Sequence, residues 1–431
     1  MTSCSRFLPT SFLPDYNETL YPQVKDVFML ELEAIIGRLE QNYSPEQAYD
    51  YKDYSVYTGA AGIAYLFWRL ASGETVLTCY NVDYLWEKAD MYVGVALRLV
   101  EDEQASRRTK APTLCSTFLT GYAGVYTIAS VIAQSQQNDS EASRYKDMVL
   151  QLEPELSEVI PCEILYGYAG YLSCILFLGK HCKLNMKGDH KVMHIVQKLL
   201  NHIWQVGRTL SRQLKSPFPL MWSWHGKMYL GAAHGICGIL TVLLHFHDEI
   251  VPSGFDHDVK RTVDELLSIR FESGNLPSSI GSGSEKLVHW CHGAPGLVSL
   301  LCQAIKAYPS DRGRYVDCLG ETANVISTKG LLKKGFGICH GISGNSFALL
   351  CASRCGIDIY YYEQAVRFAL FSCSPNCKDG NELKRSLLST PDCPESLFEG
   401  YAGLACLFYY FIDESSSSSR KFVDDGCPWI M

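Results

Sequence analysis

The chain has 431 residues, 47% of them apolar and 19% charged, with 38 basic against 46 acidic side chains for a formal net charge of −8. That apolar content can fill a large core, and an acidic balance without a basic run excludes a dedicated nucleic-acid binder. The 18 cysteines, in a chain this long, read as reduced thiols rather than as the disulfide framework of a small secreted protein.

Residues 1–20 read as an N-terminal arm. Met1 to Pro14 lacks the basic region and apolar run of a secretory signal, and Thr2 stands where N-myristoylation needs glycine. A cytoplasmic protein is expected, with peripheral membrane association compatible with it. Leu114 to Ala133 carries no charge over 20 positions, long enough to cross a bilayer. It holds Ser116, Thr117, Thr120, Gly121, Gly124, Thr127 and Ser130, however, and the other apolar runs are shorter, Gly400 to Ile412 among them. Runs of that length are those of buried helices, so no transmembrane segment is expected.

A repeat organises residues 21–412. A Gly-x-x-Gly step followed by an apolar run occurs seven times, beginning at Gly59, Gly121, Gly167, Gly235, Gly293, Gly341 and Gly400, about 57 residues apart on average. The intervening segments are more charged. Asn81 to Glu103 places Leu85, Ala89, Tyr92, Ala96 and Val100 at amphipathic-helix spacing. Each repeat therefore reads as a charged outer helix, a loop, the glycine step and an apolar inner helix. Glycine suits the step where backbones approach closely or φ is positive. The first and last repeats look like the interior ones, whereas an open solenoid needs polar caps. The predicted fold is all-α: an α/α toroid of seven hairpins, forming one domain over 21–412, with 413–431 a tail whose Ser415–Ser419 run is low in complexity. Cys427 lies one position too far from the C-terminus for prenylation.

The residue before each first glycine is, in order, Thr58, Thr120, Tyr166, His234, His292, His340 and Glu399. In a closed ring these positions share one face. Three successive repeats supply histidine there, and two add a cysteine just before it, Cys291 and Cys339. Soft N/S donors of this kind suit zinc. Cys291, His292, Cys339 and His340 either close a structural tetrahedron or leave one position open to a substrate, and the spacing fits both.

Val288-His-Trp-Cys-His-Gly-Ala-Pro-Gly296, Leu332-Lys-Lys-Gly-Phe-Gly-Ile-Cys-His-Gly341 and Ser396-Leu-Phe-Glu-Gly400, together with Gly231-Ala-Ala-His-Gly235, resemble the signature blocks of the LanC-like family, eukaryotic relatives of the bacterial lanthionine cyclases. The resemblance extends over nearly the whole chain. It implies seven inner and seven outer helices and one Zn2+ held by Cys291, Cys339 and His340, with an open fourth position and His292 left in the loop. It also implies that a thiol adds to dehydroalanine or dehydrobutyrine, with His234 matching the catalytic histidine. Glu163 is the nearest carboxylate to the family's aspartate. Glutathione is the implied thiol, its carboxylates meeting Lys334 and Arg6. Thr390-Pro391-Asp392 matches a glutathione-contacting segment that begins with arginine in the family. This chain has Ser389 there, with Arg385 four residues upstream as a substitute. The expected function is zinc-dependent, transferase-like addition of glutathione to dehydroamino-acid residues of peptides or proteins. The alternative is a non-catalytic glutathione-binding regulator of kinases or of signalling at the membrane.

Overall fold

The computed structural model describes residues 6–16, 21–106, 115–185, 188–373 and 388–413. Arg385 and the 414–431 segment lie outside them. An apolar helix follows each glycine step: Ala60–Ser72, Tyr122–Ser135, Tyr168–His181, Ile236–His245, Ala294–Ala307, Ile342–Arg354 and Tyr401–Ile412. These are the inner helices, buried on almost every side. Each packs against the next, and the seventh packs against the first, so the ring closes into the expected toroid.

Amphipathic helices form the outer layer: Tyr21–Asn42, Val82–Ala105, Asp139–Gln151, His190–Leu214, Asp256–Ser268, Arg312–Lys329 and Tyr360–Phe371. The spacing of their buried residues explains their placement. In His190–Leu214, Val192, Ile195, Val196, Leu199, Leu200 and Ile203 form one apolar stripe. The pairing in space differs from the order read along the chain. Val82–Ala105, Asp139–Gln151, Arg312–Lys329 and Tyr360–Phe371 pack mainly on the inner helix that precedes each of them. The helix Tyr21–Asn42 packs on the last inner helix instead. Phe28 sits against Phe408 and Phe411, with ring centroids 5.1 and 5.4 Å away. Lys25 Nζ donates to the Ile412 carbonyl at 3.0 Å, and Arg38 pairs with Glu395 through bonds of 2.7 and 2.9 Å. The two ends of the chain thus complete one hairpin between them.

The glycine steps share one geometry. A Cβ at the first glycine would lie 2.0–2.7 Å from the carbonyl oxygen six residues earlier, at all seven steps. A Cβ at the second glycine would lie 1.7–2.5 Å from the carbonyl oxygen six residues before that. Close approach is therefore what demands glycine. Positive φ occurs only at Gly293, at 116°. The fold-back also settles the inner helix N-termini, which have no side-chain caps. Ala60 donates its amide to the loop carbonyl of Asp53 instead, Ile236 to Tyr229 and Ile342 to Gly335, while at the fifth helix Ala294 donates to the Asn275 side-chain Oδ1.

Neighbouring loops are stitched by backbone bonds: Tyr57 to Leu119, Phe118 to Gly170, Ala232 to Trp290, Cys291 to Cys339, Cys339 to Phe398, and Phe398 back to Tyr57. The N-terminal arm lies on the loop after Arg312–Lys329, with Leu8 N donating to Leu331 O and Lys333 N to Arg6 O. Among the described residues, no helix is long and apolar enough to cross a membrane.

At the far ends of the third and fourth inner helices, His181 and His245 are each pulled down to about pKa 3, first by burial and then by Lys180 with Arg69 and by Lys306 with Lys180 respectively.

Two predictions follow from this architecture. Gly344→Ala, whose Cβ would sit 1.8 Å from the Ile338 carbonyl, should lower stability by about 1–3 kcal/mol. Gly94→Ala, on an outer helix with open space around it, should raise stability by about 0.5–1 kcal/mol, both read from urea unfolding. In the unfolded chain His181 and His245 protonate near pH 6.5, but in the folded chain only near 3. Their contribution is therefore complete above pH 6.5 and shrinks as pH falls towards 3, by about 1.4 kcal/mol per unit for each residue. Urea midpoints at pH 7.5 and 5 should show this loss, and His245→Gln should reduce it.

Candidate active site

Cys291, Cys339 and His340 stand at the tips of the fifth and sixth loops. Their ligand atoms all lie within 4.8 Å of one another. The bonds from Cys291 N to Cys339 O and from Cys339 N to Phe398 O hold these loops edge to edge. Cys339 is held well above an ordinary thiol pKa, first by sharing its hydrogen bond with Cys291 and then by burial. At His340, burial pulls the pKa down, but the hydrogen bond and charge of Cys339 outweigh it and raise the net value. Two thiols and an imidazole thus crowd within reach of one cation, and binding a soft cation there would release their protons. A Cys₂His set fits zinc with three protein ligands and a fourth position left free. His292 is outside the cluster. Its Nδ1 is buried without a hydrogen-bond partner, and burial, then His234 and His289, lower its pKa to about 4.

Two further residues border the cluster. His289 Nδ1 lies 3.9 Å from Cys291 Sγ, and its ring centroid 6.1 Å from that of His340. Burial first, then His340, Lys334 and Arg6, draw its pKa to about 3, so it stays neutral. Tyr57 reaches in from the first loop, stacked on Phe398 at 4.8 Å. Burial first, then the charge and hydrogen bond of Cys339, raise its phenol pKa. The repeat itself signals Tyr57: it occupies the position of Cys291 and Cys339, two residues before the glycine.

His234 stands on the adjoining fourth loop. The backbone of that loop abuts the fifth so closely that a Cβ at Gly231 would lie 2.0 Å from the Cys291 carbonyl. His234 Nδ1 is 2.8 Å from Glu163 Oε2. Glu163 is 2% exposed, and it also accepts the amides of Leu165 at 2.9 Å and Tyr166 at 2.5 Å. The carboxylate, so fixed, directs the Nδ1 proton and leaves Nε2 as the exchanging nitrogen. Trp224 stacks on the imidazole with centroids 3.8 Å apart and planes 3° apart, which fixes the plane of the ring. Trp224 sits in an irregular loop, and nothing in the repeat marks it.

Arg6 and Lys334 are both exposed, and both act on His289 beside the cluster. Ser389 N donates to Lys333 O at 2.6 Å, and Pro391 packs over Gly335, whose φ is 112°. Arg6, Lys334 and the segment Ser389, Thr390, Pro391 and Asp392 therefore border one rim of the site.

One zinc per chain is expected after reloading. Cys291→Ala and Cys339→Ala should abolish binding, whereas His292→Ala should keep most of it, as measured by metal analysis. Zinc should also raise the melting temperature of the wild-type chain. Loss of metal in His292→Ala with retention in His340→Ala would overturn this ligand set.

Comparison with known proteins agrees with the fold. The family described as lanthionine synthetase C-like protein matches residues 50–423. "Glutathione S-transferase LANCL1" of Danio rerio is 31% identical over 400 residues, covering 91% of this chain and 88% of the relative. "LanC-like protein GCL1" of Arabidopsis thaliana is 30% identical over 383 residues, covering 85% and 80%. The solved structure of nisin cyclase superposes with a TM-score of 0.62 at 15% identity, over 91% of this chain and 97% of that one. With the closed ring of seven inner helices and a match over most of its length, this chain belongs to the LanC-like family.

Proposed function

We propose that this protein adds the thiol of glutathione to dehydroalanine or dehydrobutyrine residues of peptides or proteins, giving a thioether, with zinc held by Cys291, Cys339 and His340. The observation that carries this reading is the adjacency of two chemistries on one face: a Cys₂His cluster and a histidine fixed by a buried carboxylate. The relative named a glutathione S-transferase supports the choice of thiol. Zinc in the cluster supplies an activating cation that lowers the pKa of an incoming thiol, so that thiolate is present at neutral pH.

The chain's own residues do the rest. Arg6 and Lys334 meet the two carboxylates of glutathione, with Ser389 to Asp392 beside them. The sulfur bonds to the β-carbon, and the electron pair of the C=C bond passes to the α-carbon. His234 delivers a proton there from Nε2 and recovers one from the thiol by way of solvent. Glu163 holds the imidazole in position through Nδ1, and Trp224 fixes its plane by stacking. Cys162, Cys237, Cys291 and Cys339 are thiols outside any disulfide, which suits work in the reducing cytoplasm.

The test is incubation of the zinc-loaded protein with glutathione and a dehydroalanine peptide, read as a mass gain of one glutathione. His234→Ala should keep zinc, glutathione and fold but lose about 10²–10⁴-fold in turnover. Arg6→Ala and Lys334→Ala should each weaken glutathione binding, and rising salt should weaken it in the wild type. Binding without turnover in the wild type would leave the regulator reading in its place.

A further inference from the structure

A groove of about 680 Å³ lies between the 158–162 loop, the outer helix His190–Leu214 and the 222–225 loop. Its walls are mainly apolar and aromatic, with Val159, Pro161, Val206, Leu210, Trp222 and Trp224, while Glu158, Ser223 and His225 are its polar members. Trp222 is locked against the outer helix at Gly207, its Nε1 donating to the Ile203 carbonyl at 3.0 Å. That gives the groove a rigid floor. Val159 is 88% exposed at the rim.

The position of the groove is what gives it meaning. Tyr166 and Trp224 line it, and the same two rings lie almost parallel to His234. The groove thus ends at the candidate proton donor. Going round the ring, the third and fourth repeats supply the groove, the fourth His234, the fifth and sixth the metal cluster, and the sixth Lys334 with Arg6 alongside. No lysine or arginine lines the groove, so it does not suit glutathione. Its surface suits an uncharged, apolar chain segment, and its size lies within the usual range of ligand pockets.

We infer that this groove binds the acceptor peptide, taking apolar or aromatic side chains that flank the dehydroamino acid, so that the two substrates reach the reacting atoms from opposite sides. This rests on the proposed thiol addition for the identity of the acceptor, but binding can be measured without the reaction.

The probes are fluorescein-labelled peptides with unreactive alanine in place of the dehydro residue. One is flanked by leucine and phenylalanine, the other by serine and aspartate. The apolar peptide should bind about tenfold more tightly, as expected for burying one large side chain. Val159→Asp, on an exposed loop, and Leu210→Asp should each remove most of that preference. Both variants should raise KM about tenfold for the apolar dehydroalanine peptide and leave turnover of N-acetyl-dehydroalanine methylamide unchanged. Equal binding of the two peptides, or unchanged binding in both variants, overturns the groove assignment. If the groove variants weaken binding but no dehydroalanine compound reacts, the groove stands and the thiol-addition reading fails. If the small amide reacts and the groove variants change nothing, the opposite holds.

Discussion

Everything in this structure depends on the fold-back of seven short loops onto the helices that follow them. Each loop lays two carbonyl oxygens where a Cβ would otherwise stand, so a glycine is required at each contact. In return the loop satisfies the helix amides that end caps serve elsewhere. The loop tips are thereby fixed at the N-termini of the inner helices, where the helix dipoles are positive. Residues one and two before the glycine share a face whatever their identity. The chain can put threonine, histidine, cysteine or glutamate there without altering the fold, and chemistry is confined to the repeats that carry it.

That separation explains what the sequence made legible. The glycines are backbone requirements, so all seven steps stand out, and the ring follows from them. Cys291, His292, Cys339 and His340 stand out because they fall at equivalent repeat positions, but the repeat cannot choose among them, and only the family resemblance sets His292 apart. Tyr57 falls at one too, but a tyrosine there reads as core until its phenol is placed beside Cys339. Glu163 was visible as a nearby carboxylate, whereas its pairing with His234 spans 71 residues and depends on how two loops meet. Trp224 was beyond reach, because it stands in an irregular turn with His225 at φ 47° and Gly226 at φ 73°. The helix pairing was also hidden. A cyclic arrangement has no first repeat, so periodicity cannot tell which outer helix serves which inner one.

The site divides its electrostatics along the ring. Near the Cys₂His cluster the neighbouring histidines His289 and His292 are kept neutral by burial, whereas Cys339 raises the pKa of His340 within it. Positive charge there comes from Arg6 and Lys334 at the rim. One loop away, His234 is held by a carboxylate at Nδ1 and by an indole stacked on its face. His234 and the Cys₂His cluster thus stand on separate loops whose backbones touch.

The closure of the ring reaches the site itself. Phe398 donates to Tyr57 across the seam between the seventh and first repeats, and its own carbonyl accepts the amide of Cys339. Tyr57 stacks on Phe398 and directs its phenol at Cys339. On the outside of the same seam, Phe28 from the N-terminal helix packs against Phe408 and Phe411 of the last inner helix. The arm runs on from the same end of the chain to place Arg6 beside Lys333. The arm at Arg6 and the seventh loop at Phe398 therefore both meet the loops that carry the cluster. The geometry of Cys339 depends on contacts formed only when the ring is complete, so the site belongs to the closed toroid rather than to the two loops that supply its ligands.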